Sequence, residues 1–387
     1  MKQTEVAVYY FPNYHPDPLS EQWHGQGWTE WELVKAARPR FQGHDQPKIP
    51  MWGYEDESDP AIMAKKIQAA ADHGISSFIF DWYWYENGPF LHGALERGFL
   101  NAVNSQELKF SLMWANHDWY DIQPAPRNFR NNLAASGKVT EEQFIAATDY
   151  MITHYFHQPN YWRVDGGLYF SIYELMNLIE GLGGSYEETK RVLVDFRTRV
   201  RNAGLGELHL NAIVWGVQNL PGEKAIEDVN KVLEDLGFDS ITSYVWIHHN
   251  AIPHFPMSDY SLYRELSMKD FERFTNEYEL PYFPNVSMGW DSSPRTVQTD
   301  VYDCVGYPYT PILVGNTPQQ FEKALWEAKT FLDKGVTRPS ILTINSWNEW
   351  TEGSYLEPDT RYGMKYLEAI RDVFGVKRME GSQTEVG

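Results

Sequence analysis

Apolar runs of four to seven residues alternate along the whole chain with longer stretches whose apolar positions recur at helical spacing. The runs Val6–Phe11, Ser77–Trp82, Phe110–Ala115, Leu168–Ile172, Leu208–Val214, Ser240–Val245, Tyr282–Val286 and Ile341–Ile344 predict eight strands. Helix signals fall between them. Asp59-Pro60 supplies an N-cap and a first-turn proline for Ala61–Asp72, with Gly74 just past its end. Thr140 with Gln143, and Ser185 with Glu188, have capping-box spacing and open helices that run to about Tyr155 and Arg201. Thr317-Pro318 opens another that reaches Lys334 and stops at Gly335. No Gly/Ser- or Pro-rich linker and no internal repeat divides residues 1–387. Eight strand–helix alternations without a break predict α/β architecture: one (β/α)8 barrel of the TIM type with long βα loops, in a single domain. No glycine-rich phosphate loop follows the first strand, which argues against a dinucleotide fold.

Composition narrows the function. The formal net charge of −20 disfavours nucleic acid or an anionic membrane surface as partner. No apolar run of about 18 residues occurs, so no membrane span is expected. The chain starts directly into a strand-like segment, so the expected location is cytoplasmic, or periplasmic or secreted if a leader has been removed. The single Cys304 excludes an internal disulfide and multi-cysteine metal sites. Histidines occur singly or as the adjacent His248-His249, without metal-ligand spacing, so neither metal nor cofactor is expected. Aromatic residues reach 15%, with 15 Trp and 24 Tyr. Packing accounts for part of this, and flat rings with a polar edge also suit sugar faces.

In such a barrel, catalytic groups come from the C-terminal ends of the strands and the loops behind them. Polar and aromatic residues collect there: Tyr10 and His15 after the first strand, with Glu30 further along its loop; Asp81-Trp82; Trp114, Asn116 and His117; Tyr173; Trp215; Tyr244 and Trp246; Trp290, Asp291 and Arg295. One tryptophan at a strand end is more often a barrel plug than a platform. Eight such tails converging on one rim predict a glycan-binding cup. Arg295 and Asp291 either hold sugar hydroxyls there or form a structural ion pair.

The eighth tail reads Trp347-Asn348-Glu349-Trp350-Thr351-Glu352-Gly353. Two glutamates three apart diverge on a straight strand, but both can enter one cup where the strand turns into a loop. Paired carboxyls are the equipment of glycoside cleavage. An aromatic cup is expected to raise one pKa and leave the other group ionised. The alternative, an acidic surface loop, fits poorly with two tryptophans and a glycine in the same stretch.

The segment 347–358 resembles the WbsX-type, family-99-like glycan-processing proteins, relatives of the glycoside hydrolase family 99 endo-α-mannosidases. Tyr10–Pro16, Gly27–Trp31, Gly43–Pro47, Trp114–Asn116 and Gly289–Arg295 agree with the same pattern, from about Val6 to about Ala369. The resemblance implies a (β/α)8 barrel and a retaining, metal-free mechanism. In it Glu349 deprotonates the sugar 2-hydroxyl to form a 1,2-anhydro sugar, while Glu352 protonates the leaving oxygen and then activates water. Three functions are carried forward: glycoside hydrolase, polysaccharide-biosynthetic glycosyltransferase, and non-catalytic glycan-binding protein. Oligomeric state is not legible.

Overall fold

The computed structural model describes residues 4–130, 132–216, 224, 226 and 228–375. In an 11-stranded sheet that two short antiparallel strands complete, nine strands paired in parallel form the main path: β1 (Glu5–Tyr10), β2 (Ser77–Tyr85), β3 (Lys109–Trp114), β4 (Gly167–Ile172), β5 (Leu208–Ile213), β6 (Ser240–Thr242), β7 (Tyr282–Phe283), β8 (Asn285–Ser287) and β9 (Ile341–Asn345). Each pairs with its sequence neighbour, except that only Pro284 separates β7 from β8. β7 pairs with β6, β8 pairs with β9, and β9 pairs with β1, so the sheet nearly closes into a barrel. The sequence predicts one strand over Tyr282–Val286. Pro284 has no N–H to give the ladder, and the strand breaks into two pieces there. The ladder survives the break on one side, where Thr343 N donates to Pro284 O at 2.9 Å.

The predicted caps form. Asp59 accepts from Ala61 N at the start of α1 (Pro60–Asp72). Thr140 and Gln143 make the full reciprocal box opening α2 (Glu141–His154). Ser185 accepts from Glu188 N ahead of α3 (Tyr186–Asn202), but the return bond is missing, because Glu188 takes Arg191 Nε at 2.9 Å instead. Further helices are α4 (Val229–Leu236), α5 (Tyr260–Ser267), α6 (Lys269–Glu277), α7 (Pro318–Asp333) and α8 (Lys365–Phe374). The connection from β2 to β3 holds a three-residue strand (Gly88–Phe90) paired antiparallel with β2, a π-helical turn over Ala94–Phe99 and a short 3-10 turn, in place of a regular barrel helix. No helix among the described residues is long and apolar enough to cross a membrane.

Polar residues form part of the barrel interior. Ser171 donates to Asn211, Asn211 to Ser240, and Asn285 to Thr343, all among buried side chains. Each of these three donors has an acceptor, which is what lets such groups leave water.

Candidate active site

Behind the C-terminal strand ends lies an open cup of about 760 Å3, counting the space at its mouth. Eight of the residues singled out in the sequence line it: Asp81, His117, Tyr173, Tyr244, Trp290, Arg295, Glu349 and Glu352. Glu349 lies in a two-residue strand (Asn348–Glu349) paired antiparallel with Ser354–Tyr355, and a 3-10 turn over Trp350–Glu352 joins the two. That turn is what brings Glu352 back beside Glu349. It closes through Gly353 at φ 63°, where an added Cβ would sit 2.8 Å from Asp291 Cβ. Glycine alone fits both demands there.

One guanidinium joins the acidic groups. Arg295 is buried and donates from Nε to Glu30 at 2.8 Å, from Nη1 to Glu352 at 2.5 Å and from Nη2 to Glu349 at 3.2 Å. Tyr307 donates to the same Glu352 oxygen at 2.7 Å. On the other side, Tyr244 Oη lies 2.9 Å from Asp81 Oδ2 and 3.2 Å from Glu349 Oε1, with one proton to serve both. Burial, then the adjacent Glu352, lifts Glu349 well above the usual carboxylate range. Burial also raises Glu352, against the pull of Arg295 and the Tyr307 hydroxyl. Asp81 is raised by burial as well. The sequence predicts one raised and one ionised carboxyl, whereas both members of the pair are raised here, since burial acts on both and one cation is shared among three carboxylates. Burial lowers His117, and lowers His248 to about 3, which favours the neutral imidazole at both.

The other singled-out residues surround the cup without lining it. Tyr10, Trp82 and Trp114 point out of the barrel: Tyr10 packs on Phe78 and Phe80, Trp82 stacks on Trp84 and His92, and Trp114 meets Phe144 of α2. Asn116 ties down the backbone N–H and carbonyl of Glu174. Trp246 donates to Asn285 O, and Trp347 to Glu357. Asn348 bonds both backbone groups of Phe11. Asp291 accepts from Gln46, from Ser293 N and at His44, while His15 is buried beside the 93 backbone and held neutral by burial, down to about 4. Among the described residues Glu30 bonds Arg295, Asn13 and Thr351, and of these Arg295 lines the cup. Trp215 is half-buried, its ring 4.8 Å from that of Tyr173.

Several lining residues are not among the site candidates read from the sequence, although Tyr83 and Asp118 belong to its strand-end tails. Tyr83 was available from strand alternation, which puts it on the face of Asp81 and leaves Trp82 on the opposite one. Asp118, Trp119, Tyr120, Ile122 and Gln123 belong to the loop after β3, and Tyr307 to the loop after β8. No periodicity marks these. The first loop is strapped to the second: Ala125 N donates to Arg295 O at 2.8 Å, and Val297 N to Ala125 O at 2.9 Å. Among the described residues no three His, Cys, Asp or Glu side chains gather as a metal-sized group.

A nearly closed parallel barrel with paired buried carboxyls at its C-terminal mouth defines a protein of TIM-barrel fold. The chain belongs to the family described as Glycosyltransferase WbsX, which matches residues 6–370. It is 28% identical over 384 residues to the uncharacterized protein WxcX of two strains of Xanthomonas campestris pv. campestris, covering 95% of this chain and 49% of theirs. The chain thus spans about half the length of the curated relatives it matches. Among solved structures it is similar to the GH99 endo-alpha-mannosidase from Bacteroides thetaiotaomicron, with a TM-score of 0.56, 15% identity and 96% of each chain covered. A glycoside hydrolase-like protein gives a TM-score of 0.58 at 17% identity, covering 97% of this chain and 95% of its own.

Proposed function

We propose that the protein hydrolyses a glycosidic bond in an oligo- or polysaccharide, with Glu349 and Glu352 as the reacting carboxyl pair. The observation that carries this reading is the buried pair itself, joined through Arg295 and set in an aromatic-lined cup. In the reaction Glu349 removes the proton of the sugar 2-hydroxyl, that oxygen attacks its own anomeric carbon, and the bond to the leaving oxygen breaks as Glu352 protonates it. Water then opens the 1,2-anhydro ring, giving its proton to Glu352 while the sugar oxygen regains its own from Glu349. The internal nucleophile is already beside the reacting carbon, which removes most of the entropic cost of bringing two groups together. Burial raises both carboxyls, and at Glu352 the Arg295 guanidinium and the Tyr307 hydroxyl oppose the rise. A sugar hydroxyl donating to Glu349 favours its ionised form and leaves the proton for Glu352, as the reaction needs. A high proton affinity also makes Glu349 the stronger base.

Asp81 Oδ1 is buried with no partner among the described residues, and Asp81 lines the cup, so it is a natural acceptor for a sugar hydroxyl. The surplus of carboxyls over cations favours a neutral sugar over a uronic acid at the reacting position.

The family description supports a second reading, glycosyl transfer. A nucleotide-sugar donor needs cations or a helix N-terminus for its diphosphate. Arg295 is the one Arg or Lys lining the cup among the described residues, and three carboxylates already occupy it. Incubating purified protein with a polysaccharide panel, read by mass spectrometry for new reducing ends, tests the hydrolase. Product that forms only when a sugar nucleotide is added would replace hydrolysis by transfer, and binding without product in either assay would leave a glycan-binding protein.

A further inference from the structure

Behind the catalytic hairpin, on the side away from the cup, three charged groups are buried together. Lys66 on α1 is 1% exposed, Glu57 is 0% and Glu357 is 3%. Lys66 Nζ lies 2.7 Å from Glu57 Oε1 and 2.5 Å from Glu357 Oε1. Each carboxylate then reaches the segment that carries Glu349. Glu57 Oε1 accepts from Asn348 Nδ2 at 2.8 Å. Glu357 accepts from the indole of Trp347 at 2.9 Å and, on its other oxygen, from that of Trp350 at 2.7 Å. The residues on both sides of Glu349 therefore hang on one ammonium group.

Burying such a cluster adds little stability compared with well-packed apolar side chains, because each ion gives up its hydration. The cost shows in Glu57, whose carboxyl burial pushes up to about 6 despite the adjacent lysine. What ion pairs and hydrogen bonds supply that apolar packing cannot is direction. Here the directional bonds end on residues 347, 348 and 350, and residue 349 between them is one of the carboxyls in the cup. Asn348 also grips the backbone of Phe11, itself a lining residue, so the same assembly registers the β1 tail against the hairpin.

We propose that Lys66 is a positioning residue for Glu349: through Glu57 and Glu357 it fixes the hairpin so that the Glu349 carboxyl meets Arg295, Tyr244 and the substrate. The catalytic half of this statement builds on the hydrolase reading above, and the geometric half is independent of it.

The test uses the full chain with Lys66→Met, which keeps the length of the stem and removes the charge, beside Lys66→Arg, which restores a cation. On a glycan that the wild type hydrolyses, Lys66→Met lowers kcat by 10- to 100-fold, on the order of what ångström-scale misplacement of a reacting group costs, with KM within about threefold. Lys66→Arg recovers a substantial part of kcat. A merely structural lysine would lower the melting temperature and leave kcat per folded molecule unchanged. Amide hydrogen exchange read by mass spectrometry needs no substrate: Lys66→Met speeds exchange across residues 347–353 at least about tenfold more than across β1. If the wild type releases nothing from any glycan, the hydrolase reading fails while the exchange result still judges the clamp. Should Lys66→Met fail to fold, Trp350→Phe removes one bond to Glu357 and keeps the ring that stacks on Tyr355 at 3.8 Å, and the same two readouts apply. Folded variants with wild-type exchange over 347–353 would overturn the proposal, as would kcat unchanged in an active protein.

Discussion

Replacing Glu349 by glutamine takes one negative charge out of a cluster in which Glu30, Glu349 and Glu352 share a single buried guanidinium, with Asp81 a fourth carboxyl across Tyr244. The amide is nearly isosteric, and its groups find partners: the carbonyl accepts from Arg295 Nη2, and the NH2 donates to Tyr244 while Tyr244 donates to Asp81. No cavity opens and no donor is stranded. The wild-type carboxyl is raised well above its unfolded value, first by burial and then by Glu352. The native state therefore binds this proton more tightly than the unfolded chain does. The stability it contributes is fully present below the unfolded pKa of about 4.3 and is lost as pH rises through the raised folded value. Glutamine does not titrate and loses nothing. Each tenfold gain in proton affinity on folding corresponds to about 1.4 kcal/mol. With an unfolding entropy of about 2 cal/mol/K per residue, 1 kcal/mol moves the melting temperature of a chain this long by about 1.2 °C. Thermal unfolding followed by circular dichroism from about pH 4 to about pH 8 should give overlapping midpoints at the acid end and a variant more stable by at least about 2 °C at the alkaline end. Hydrolysis should meanwhile fall by about 10²- to 10⁴-fold. A variant less stable than wild type at every pH would refute the account of a destabilised, preorganised pair.

Glu352→Gln removes the proton a poor leaving group needs, so turnover of a natural glycan should fall by about 10²- to 10⁴-fold. An activated aryl glycoside should keep more of its activity in the bond-breaking step, and equal losses on both substrates would count against Glu352 as the acid. Arg295→Met leaves three buried carboxyls uncompensated and should cost about 3–5 kcal/mol near pH 8, or roughly 4–6 °C by thermal melting. That deficit should shrink toward about pH 4 as the carboxyls take up protons, and a pH-independent loss would mean that Arg295 acts through packing. Tyr120, half-buried on the strap, offers a ring to a bound glycan, so Tyr120→Ala should raise KM by on the order of threefold to tenfold with kcat within about twofold. An unchanged KM would remove Tyr120 from the binding surface.

The fold was legible because its local signals agree with one another. Apolar runs mark the strands to within a residue or two at most ends, and Asp59-Pro60, Thr140 and Thr317-Pro318 mark helix starts through bonds that the structure makes. The one strand read too simply, Tyr282–Val286, contains Pro284. A gap in the ladder at that position is legible from the residue alone, because proline has no N–H to donate. The 94–99 segment, where a π-helical turn stands in for a barrel helix, carries no cap and gave no warning.

The site was legible by position along the strands and less so by direction. Side chains alternate across a strand, so Asp81 and Tyr83 share the inner face while Trp82 and Trp84 meet the surrounding layer, and Tyr9 turns inward where Tyr10 turns out. Reading each tail as a block selected Trp82, Trp114 and Tyr10 along with the residues that do face the cup. Choosing every second residue would have separated them. Parity fails where the strand ends, and it is there that Glu349 and Glu352 are brought together, by a 3-10 turn and a left-handed glycine that no alternation rule anticipates. Tyr307 and the strap residues lie further still from any periodic element, and chain crossings such as Ala125 to Arg295 set their places. A short motif could identify the pair because its spacing encodes that turn. The groups that hold the pair, Arg295 across the cup and Lys66 behind it, come from distant parts of the chain, and only the folded barrel brings them to the segment 347–352.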